Sequence, residues 1–271
     1  RIEEWGKNVE DFQKGDRVGA LTRFGGYAEY AVTDSRAAFR IPDSISIAEA
    51  SALATQYCTA YYCAAEAANL RNGERVVIHA ASGGVGTALM QYAKHQHCEI
   101  IATTSSLTKV DFLKQQGATH VVNISEENFH DAVRKITGRE GVDAVFDAMG
   151  GKYVSQGIRL LTAGGRMVCY GASQMTGTGL FQRIKAGLQF GFYHPAQLMM
   201  PSKSLLGVNM LQLSDKKPLV LKHCLSEVME LYHKGVFKPL EGKIFPAAEV
   251  AAAHRYLQEK KAKGKVALSW I

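Results

Sequence analysis

Through the middle of this chain, short β-branched runs alternate with segments of helical periodicity. Val76-Val77-Ile78 leads into His79-Ala80-Ala81-Ser82-Gly83-Gly84-Val85-Gly86, and a helix is predicted at once, over 87–96. A strand over 99–104 and a helix over 107–116, stopped at Gly117, come next. The pattern then predicts a strand over 120–123, a helix over 126–137 ending at Gly138, and a strand over 142–149. A helix over 152–162 follows Gly150-Gly151, Gly164-Gly165 opens a strand over 166–170, and a last apolar strand covers 204–210. Strands that alternate with helices predict an α/β fold with a doubly wound parallel sheet. Their near-continuous apolar runs predict cover on both faces.

The two ends of the chain follow another pattern. Within 1–45, Lys14-Gly15-Asp16-Arg17-Val18 reads as a turn into a strand, and Gly25-Gly26-Tyr27-Ala28-Glu29-Tyr30-Ala31-Val32 as antiparallel β. From Val236 an extended segment reaches Phe245, a helix covers 247–259, and a strand closes the chain over 265–270. Each piece is too small to fold alone, so the two are expected to join on one side of the sheet domain. Arg1 stands in mid-pattern, which leads us to expect a preceding portion.

The run at 76–86 carries the chemistry. A strand, a glycine turn and a helix N-terminus place backbone N–H groups and the positive end of a helix dipole where a pyrophosphate can sit. The competing reading is a tight turn with no ligand. About 20 residues further on, a dinucleotide fold ends its second strand beside the adenosine ribose, where an acid selects NAD. Here no acid occurs between Ile100 and Asp111; Thr104, Ser105, Ser106 and Lys109 occupy the place. Hydroxyl donors and a cation suit a 2′-phosphate, so NADP is favoured. The alternative is a Ser/Thr helix cap followed by an ordinary surface lysine.

Composition narrows the classes. At 271 residues with 46% hydrophobic content, one large or two globular domains are expected. The net charge of +7 suits an anionic cofactor. The one basic cluster, Lys260-Lys261-Ala262-Lys263, has no interleaved aromatics, which argues for a solvated helix end and against nucleic acid. Cys58, Cys63, Cys98, Cys169 and Cys224 form no C-x-x-C pair. They are expected to be separate thiols in a reducing, cytoplasmic setting. No His/Cys set has metal-ligand spacing, so no zinc is expected. The longest uncharged stretches, 50–65 and 186–202, fall short of the ~20 apolar residues that span a bilayer. Residues 177–200, with Phe181, Phe190, Phe192, Tyr193, Arg183 and Lys185, admit four readings. They would form a lid over an apolar substrate, a dimer contact, a membrane-surface helix, or a helix packed on its own domain.

Several of these motifs are similar to those of one family. Gly15-Asp16-Arg17-Val18, Gly25-Gly26-Tyr27-Ala28-Glu29-Tyr30, the Ala-Ala-Ser-Gly-Gly-Val-Gly loop, Phe146-Asp147-Ala148-Met149-Gly150-Gly151 and Gly264-Lys265-Val266 resemble the medium-chain dehydrogenase/reductase superfamily. Within it the zinc-free quinone oxidoreductases, the zeta-crystallin-like group, resemble the chain most. Tyr170-Gly171-Ala172-Ser173, Thr176-Gly177-Thr178-Gly179 and the run from Ser202 to Met210 into Leu211 point to the branch of the vesicle amine transport protein homologues.

The resemblance implies a split GroES-like catalytic domain, mostly β, wrapped around a Rossmann domain. On that division 1–45 belong to the first catalytic segment, 46–235 to the Rossmann domain and 236–271 to the returning segment. It also implies NADPH as cofactor, a small apolar quinone or enone as substrate, and a homodimer. Gly83, Gly84, Val85 and Gly86 would hold the pyrophosphate and Ser105, Ser106 and Lys109 the 2′-phosphate, with Ala81, Ser82 and Thr104 as further cofactor-binding residues. Asn123 would lie near the adenine, although Ile124 stands where a tyrosine is common. Gly171 and Ala172 would skirt the ribose and pyrophosphate. Val208, Asn209 and Met210 would meet the carboxamide, without the phenylalanine that often accompanies that asparagine. Tyr57 and Thr59 would pack near the nicotinamide as hydrogen-bonding catalytic residues; the competing reading of Tyr57 is a core tyrosine with a backbone partner. Cys58 and Cys63 read as packing residues. Two alternatives to quinone or enone reduction stand beside it: an enoyl-thioester reductase, and a nucleotide-binding protein that associates with membranes or partners.

Overall fold

The structure is a computed structural model that describes residues 1–173, 189–259, 262 and 264–270. Thr176-Gly177-Thr178-Gly179, Phe181, Arg183, Lys185 and the lysines at 260, 261 and 263 lie outside them. The chain forms two compact units, Tyr62–Asn209 and Arg1–Tyr61 with Met210–Ile271.

The Tyr62–Asn209 unit is built on a six-stranded sheet. In chain order its elements are β3 (Arg75–Ile78), α3 (Gly84–His95), β4 (Glu99–Thr104), α4 (Val110–Gln115), β5 (His120–Asn123), α5 (Phe129–Thr137), β6 (Val142–Asp147), α6 (Lys152–Leu160), β7 (Leu161–Cys169), α7 (Pro195–Met199) and β8 (Ser204–Gly207). The strand order is β5-β4-β3-β6-β7-β8, and every neighbouring pair is parallel. The chain starts at β3, builds outward to β5, then returns to β6 and builds the other way. Its direction therefore reverses between β3 and β6, the switch point at which doubly wound sheets bind ligands. Val76, Val77, Ile78, Ile100, Ile101 and Ala102 are buried, as the apolar runs predicted. On one face Val77, Ile101 and Val145 pack under Phe129, Val133, Tyr153 and Val154 of α5 and α6.

Element boundaries move for identifiable reasons. Helix α3 begins at Gly84, three residues before the predicted start at 87, so the glycines form its first turn. Helix α5 starts at Phe129 because the Asn128 side chain accepts the His130 and Asp131 N–H groups and caps it there. Strand β7 starts at Leu161 because Leu161 pairs with Val142, beyond a register shift that places extra β7 residues opposite the step from Val142 to Ala144. Strand β8 ends at Gly207, short of the predicted 210, and Met210 opens a helix.

The other unit joins both ends of the chain. Strands β1 (Val18–Ala20) and β2 (Ala38–Arg40) pair antiparallel, whereas β9 (Lys243–Pro246) and β10 (Val266–Ser269) pair parallel. Residues 25–32, predicted as antiparallel β, form no strand. No described strand pairs with them, and Tyr27, Tyr30 and Val32 are exposed. A ladder needs a partner, so the sequence pattern alone does not make this segment a strand. Helix α1 (Ile47–Ala52) is fixed by a capping box between Ser46 and Glu49. It runs through a π-helical stretch, Leu53–Tyr57, into α2 (Cys58–Tyr61). Helices α8 (Met210–Lys216), α9 (Pro218–His233) and α10 (Val250–Gln258) complete the unit. Residues 46–61 and 210–235, expected in the Rossmann domain, thus pack with the chain ends. The cause is the apolar face of α9, with Leu221, Cys224, Leu225 and Val228 buried, which lies against α2 and β2.

Candidate functional site

The loops at the C-terminal edge of the six-stranded sheet assemble the candidate site. The first follows β3. Ala80 adopts a left-handed backbone (φ 49°), a conformation that needs outside support in a residue with a Cβ. That support comes from the Ala81 N–H, which donates to the Thr103 carbonyl at 3.1 Å, and from the Gly83 N–H, which donates to the Ala80 carbonyl at 2.9 Å. Gly83 is the N-cap of α3 and offers no capping side chain. The first-turn N–H groups of the helix are thereby left to solvent or to an anion. Gly86 lies against the loop: a Cβ there would stand 2.5 Å from the Ala80 carbonyl oxygen and 2.6 Å from Ala81 Cα. Only glycine lets helix and loop approach this closely. Ala81 and Ser82 are buried beneath this turn, and Gly84 and Val85 are half-buried.

The second loop follows β4. Thr104 is buried, and its hydroxyl accepts the Ser106 N–H at 3.2 Å, which folds the chain into a tight turn. Ser105 is exposed. The Ser106 and Thr108 hydroxyls bond each other at 2.9 Å. Ser106 precedes a short 3-10 turn, Leu107–Lys109, without capping it through its side chain. The helix-cap alternative therefore does not describe Ser106. Lys109 follows at the start of α4. Thr104 and Asn123 are paired across the β4–β5 ladder. Asn123 is buried; its Oδ1 accepts from the Ser125 hydroxyl at 2.8 Å and the Ser125 N–H at 3.2 Å, while its Nδ2 has no hydrogen-bond partner.

Across the switch point, Asp147 ends β6 fully buried. Its two oxygens accept the N–H groups of Met149 at 3.0 Å and Gly150 at 2.8 Å. Burial raises its pKa, and those two hydrogen bonds counteract the rise. Gly171, after β7, approaches the same turn: a Cβ would stand 2.9 Å from the Ala148 carbonyl oxygen, which also accepts the Ser173 N–H at 3.0 Å. Ala172 is half-buried beside it. Val208 extends the β7–β8 pairing through its N–H to the Cys169 carbonyl at 2.9 Å, and Asn209 is exposed. Sequence reasoning overlooked Asp147 as an organiser of the edge; its signal was a carboxylate closing an apolar strand just before two glycines.

Tyr57, Thr59 and Met210 belong to the other unit. Tyr57 is buried edge-on to Phe237, with ring centroids 5.0 Å apart, and its hydroxyl donates to the Lys238 carbonyl at 2.9 Å. The Thr59 hydroxyl donates to the Thr55 carbonyl one helical turn back, at 2.7 Å. Both hydroxyl hydrogens are thus committed to the main chain. All five cysteines are free thiols. Burial pushes Cys63 upward and Cys169 to about 12, away from the thiolate form. Among the described residues no three His, Cys, Asp or Glu side chains converge on a metal position. Among them, too, no helix is long and apolar enough to cross a membrane.

A family model described as zinc-binding dehydrogenase matches residues 84–228, the stretch that carries the capless α3 N-terminus and most of the sheet. The chain belongs to the medium-chain dehydrogenase/reductase superfamily. It is 33% identical to the rat synaptic vesicle membrane protein VAT-1 homolog over 97% of its own length and 65% of the relative's, so it spans about two thirds of that protein. The CurK enoyl reductase structure matches with a TM-score of 0.83 at 32% identity, covering 99% of this chain and 76% of that one. The quinone oxidoreductase of Thermus thermophilus, solved also in complex with NADPH, matches with a TM-score of 0.76 at 27% identity, covering 94% and 78%. Within the superfamily the chain stands with the zeta-crystallin-like group near the VAT-1 homologues. Although the family's description names zinc, the described residues lack the donor set for that ion.

Proposed function

We propose that this chain forms an NADPH-dependent, zinc-independent reductase that delivers a hydride to a quinone or an α,β-unsaturated carbonyl. One observation carries the reading: an uncapped helix N-terminus stands one strand away from a turn that carries serine and threonine hydroxyls and a lysine and no acid. NADPH fits this edge in three respects. The Gly83 cap leaves first-turn N–H groups for a pyrophosphate, and Ser105, Ser106 and Lys109 offer donors and charge to a 2′-phosphate. The orphaned Asn123 Nδ2 supplies a donor next to that turn.

When bound, NADPH supplies a hydride from its nicotinamide ring, and the protein's part is orientation. Gly83 to Gly86 bind, Ala81 and Ser82 shape the floor beneath, and Gly171 with Ala172 closes the opposite side of the switch point. Val208, Asn209 and Met210 are the segment proposed to meet the carboxamide. Because Tyr57 and Thr59 give their hydrogens to carbonyls, we assign them to shaping their helix and leave protonation of the reduced acceptor to water.

The likeness to the CurK enoyl reductase supports a second reading, reduction of an enoyl thioester. The test is NADPH oxidation against 9,10-phenanthrenequinone, a medium-chain enone and a crotonyl thioester, with NADH as control. Turnover of quinone or enone with NADPH preferred supports the first reading, and turnover of the thioester alone the second. Tight NADPH binding without turnover on any acceptor moves the function to nucleotide-dependent association.

A further inference from the structure

His79 is fully buried within the edge that the proposed cofactor would use, yet the cofactor reading gives it no task. It stands just past the last β3–β4 ladder pair, Ile78 with Ala102, so it and Thr103 form the next rung. That rung is made by side chains: His79 Nδ1 and Thr103 Oγ1 are 3.0 Å apart. The same threonine's carbonyl accepts the Ala81 N–H at 3.1 Å, and the His79 N–H donates to the Phe146 carbonyl of β6 at 3.0 Å. His79 is therefore tied to both strands that flank β3. The rings of Phe129 and Tyr153 hold it edge-on, with centroids at 4.4 and 5.2 Å.

On one side of this rung the chain enters Ala80, with its left-handed backbone, and then the glycine loop. On the other it enters Thr104, whose hydroxyl folds the Ser105–Ser106 turn. Two proposed anion sites thus diverge from one crosslink. A ligand that engages both gains only if their separation matches its own span. A rung held by a side-chain hydrogen bond and two ring walls, beside the Ala81–Thr103 main-chain bond, sets that separation just past the last ladder pair. Burial holds the imidazole pKa down at about 3, so the ring is neutral and contributes no charge toward a phosphate.

Resting on the cofactor reading above, we propose that His79 and Thr103 are positioning residues, a side-chain strut that fixes the spacing of the pyrophosphate loop and the 2′-phosphate turn. The strut then governs how tightly a dinucleotide carrying both groups is held, while leaving recognition of either group alone intact.

The test compares binding of NADPH and of the fragment adenosine 2′-monophosphate, which carries the 2′-phosphate alone, by calorimetry, to the whole chain and to Thr103→Val, Thr103→Ser and His79→Phe. Thr103→Val keeps the side-chain volume and removes the hydroxyl. The expected result is NADPH binding about tenfold weaker in Thr103→Val and His79→Phe, with the fragment changed less than twofold. Thr103→Ser should restore NADPH to within about twofold. The two disruptive variants remove the strut from opposite ends, so either one alone decides the matter if the other fails to fold. NADPH affinity unchanged in a folded variant overturns the strut, as does equal weakening of NADPH and fragment, which marks a general loosening of the edge. Unaltered protein that binds the fragment but not NADPH overturns it too. Failure to bind either molecule refutes the cofactor reading itself.

Discussion

The two proposed phosphate sites lie one strand apart and are built in opposite ways. The loop after β3 is made of backbone: a left-handed alanine, a glycine N-cap, and a glycine at 86 whose missing Cβ lets the helix touch the loop. The turn after β4 is made of side chains: a buried threonine that folds it, then an exposed serine, paired hydroxyls and a lysine. Backbone geometry cannot be altered without disturbing packing, whereas exposed side chains can be exchanged freely. The first site should therefore decide whether any dinucleotide binds, and the second which one.

The sharpest way to break this contrast is Gly86→Ala. The new methyl would meet main-chain atoms at 2.5 and 2.6 Å, and these cannot swing aside as a flexible side chain can. We expect a loss of about 3 kcal/mol in urea unfolding and of binding to NADPH and NADH alike. Full affinity in the alanine variant would show that helix and loop separate without consequence. The matching change in the second site, Ser106→Ala with Lys109→Ala, should leave the unfolding midpoint in place. It should weaken NADPH about 10- to 100-fold, the worth of a charge-assisted hydrogen bond. NADH affinity should stay within about twofold, so the ratio of the two dissociation constants is the quantity to measure.

A pH-dependent effect separates the rigid floor from both loops. His79 cannot take up a proton until about pH 3, while the unfolded chain does so near the ordinary histidine value. Between those limits the unfolded state binds more protons, so stability falls as the pH falls. The slope contributed by this one group approaches about 1.4 kcal/mol per pH unit. Asp147, whose pKa burial raises, acts in the opposite sense and loses stability as the pH climbs above the ordinary carboxylate value. Comparing the acid limb of urea stability in the parent chain and in His79→Phe isolates the histidine. Equal limbs would mean that the ring is protonated in the folded state. Least affected should be Ser105→Ala: an exposed hydroxyl contributes within about 0.5 kcal/mol to stability, and we expect only a few-fold shift in cofactor preference. A shift as large as that of the Ser106/Lys109 double variant would move the centre of the second site to Ser105.

Much of this is legible in the sequence. Strands β4 and β5 follow the predicted limits to the residue: each centres on a short β-branched run, buried beyond Glu99 in β4 and at Val122 and Asn123 in the edge strand β5. The glycine loop and the acid-free turn were legible for a related reason: their chemistry depends on residue types at fixed distances from a strand end. The region 25–32 was misread because alternation describes a strand's faces and says nothing of whether another strand is there to pair with it.

What the sequence by itself determined, then, is the local grammar: which segments of the six-stranded sheet unit are strands or helices, which loop lacks side chains where phosphate would approach, and which turn carries hydroxyls in place of an acid. These follow from contacts within a few residues. Tertiary structure alone decided three further matters. It drew α9 to the chain ends through its buried apolar face, gave the Tyr57 hydroxyl to a carbonyl 181 positions away, and placed His79 against Thr103 across two strands. Each depends on which distant surfaces meet, and a one-dimensional pattern does not encode that distance.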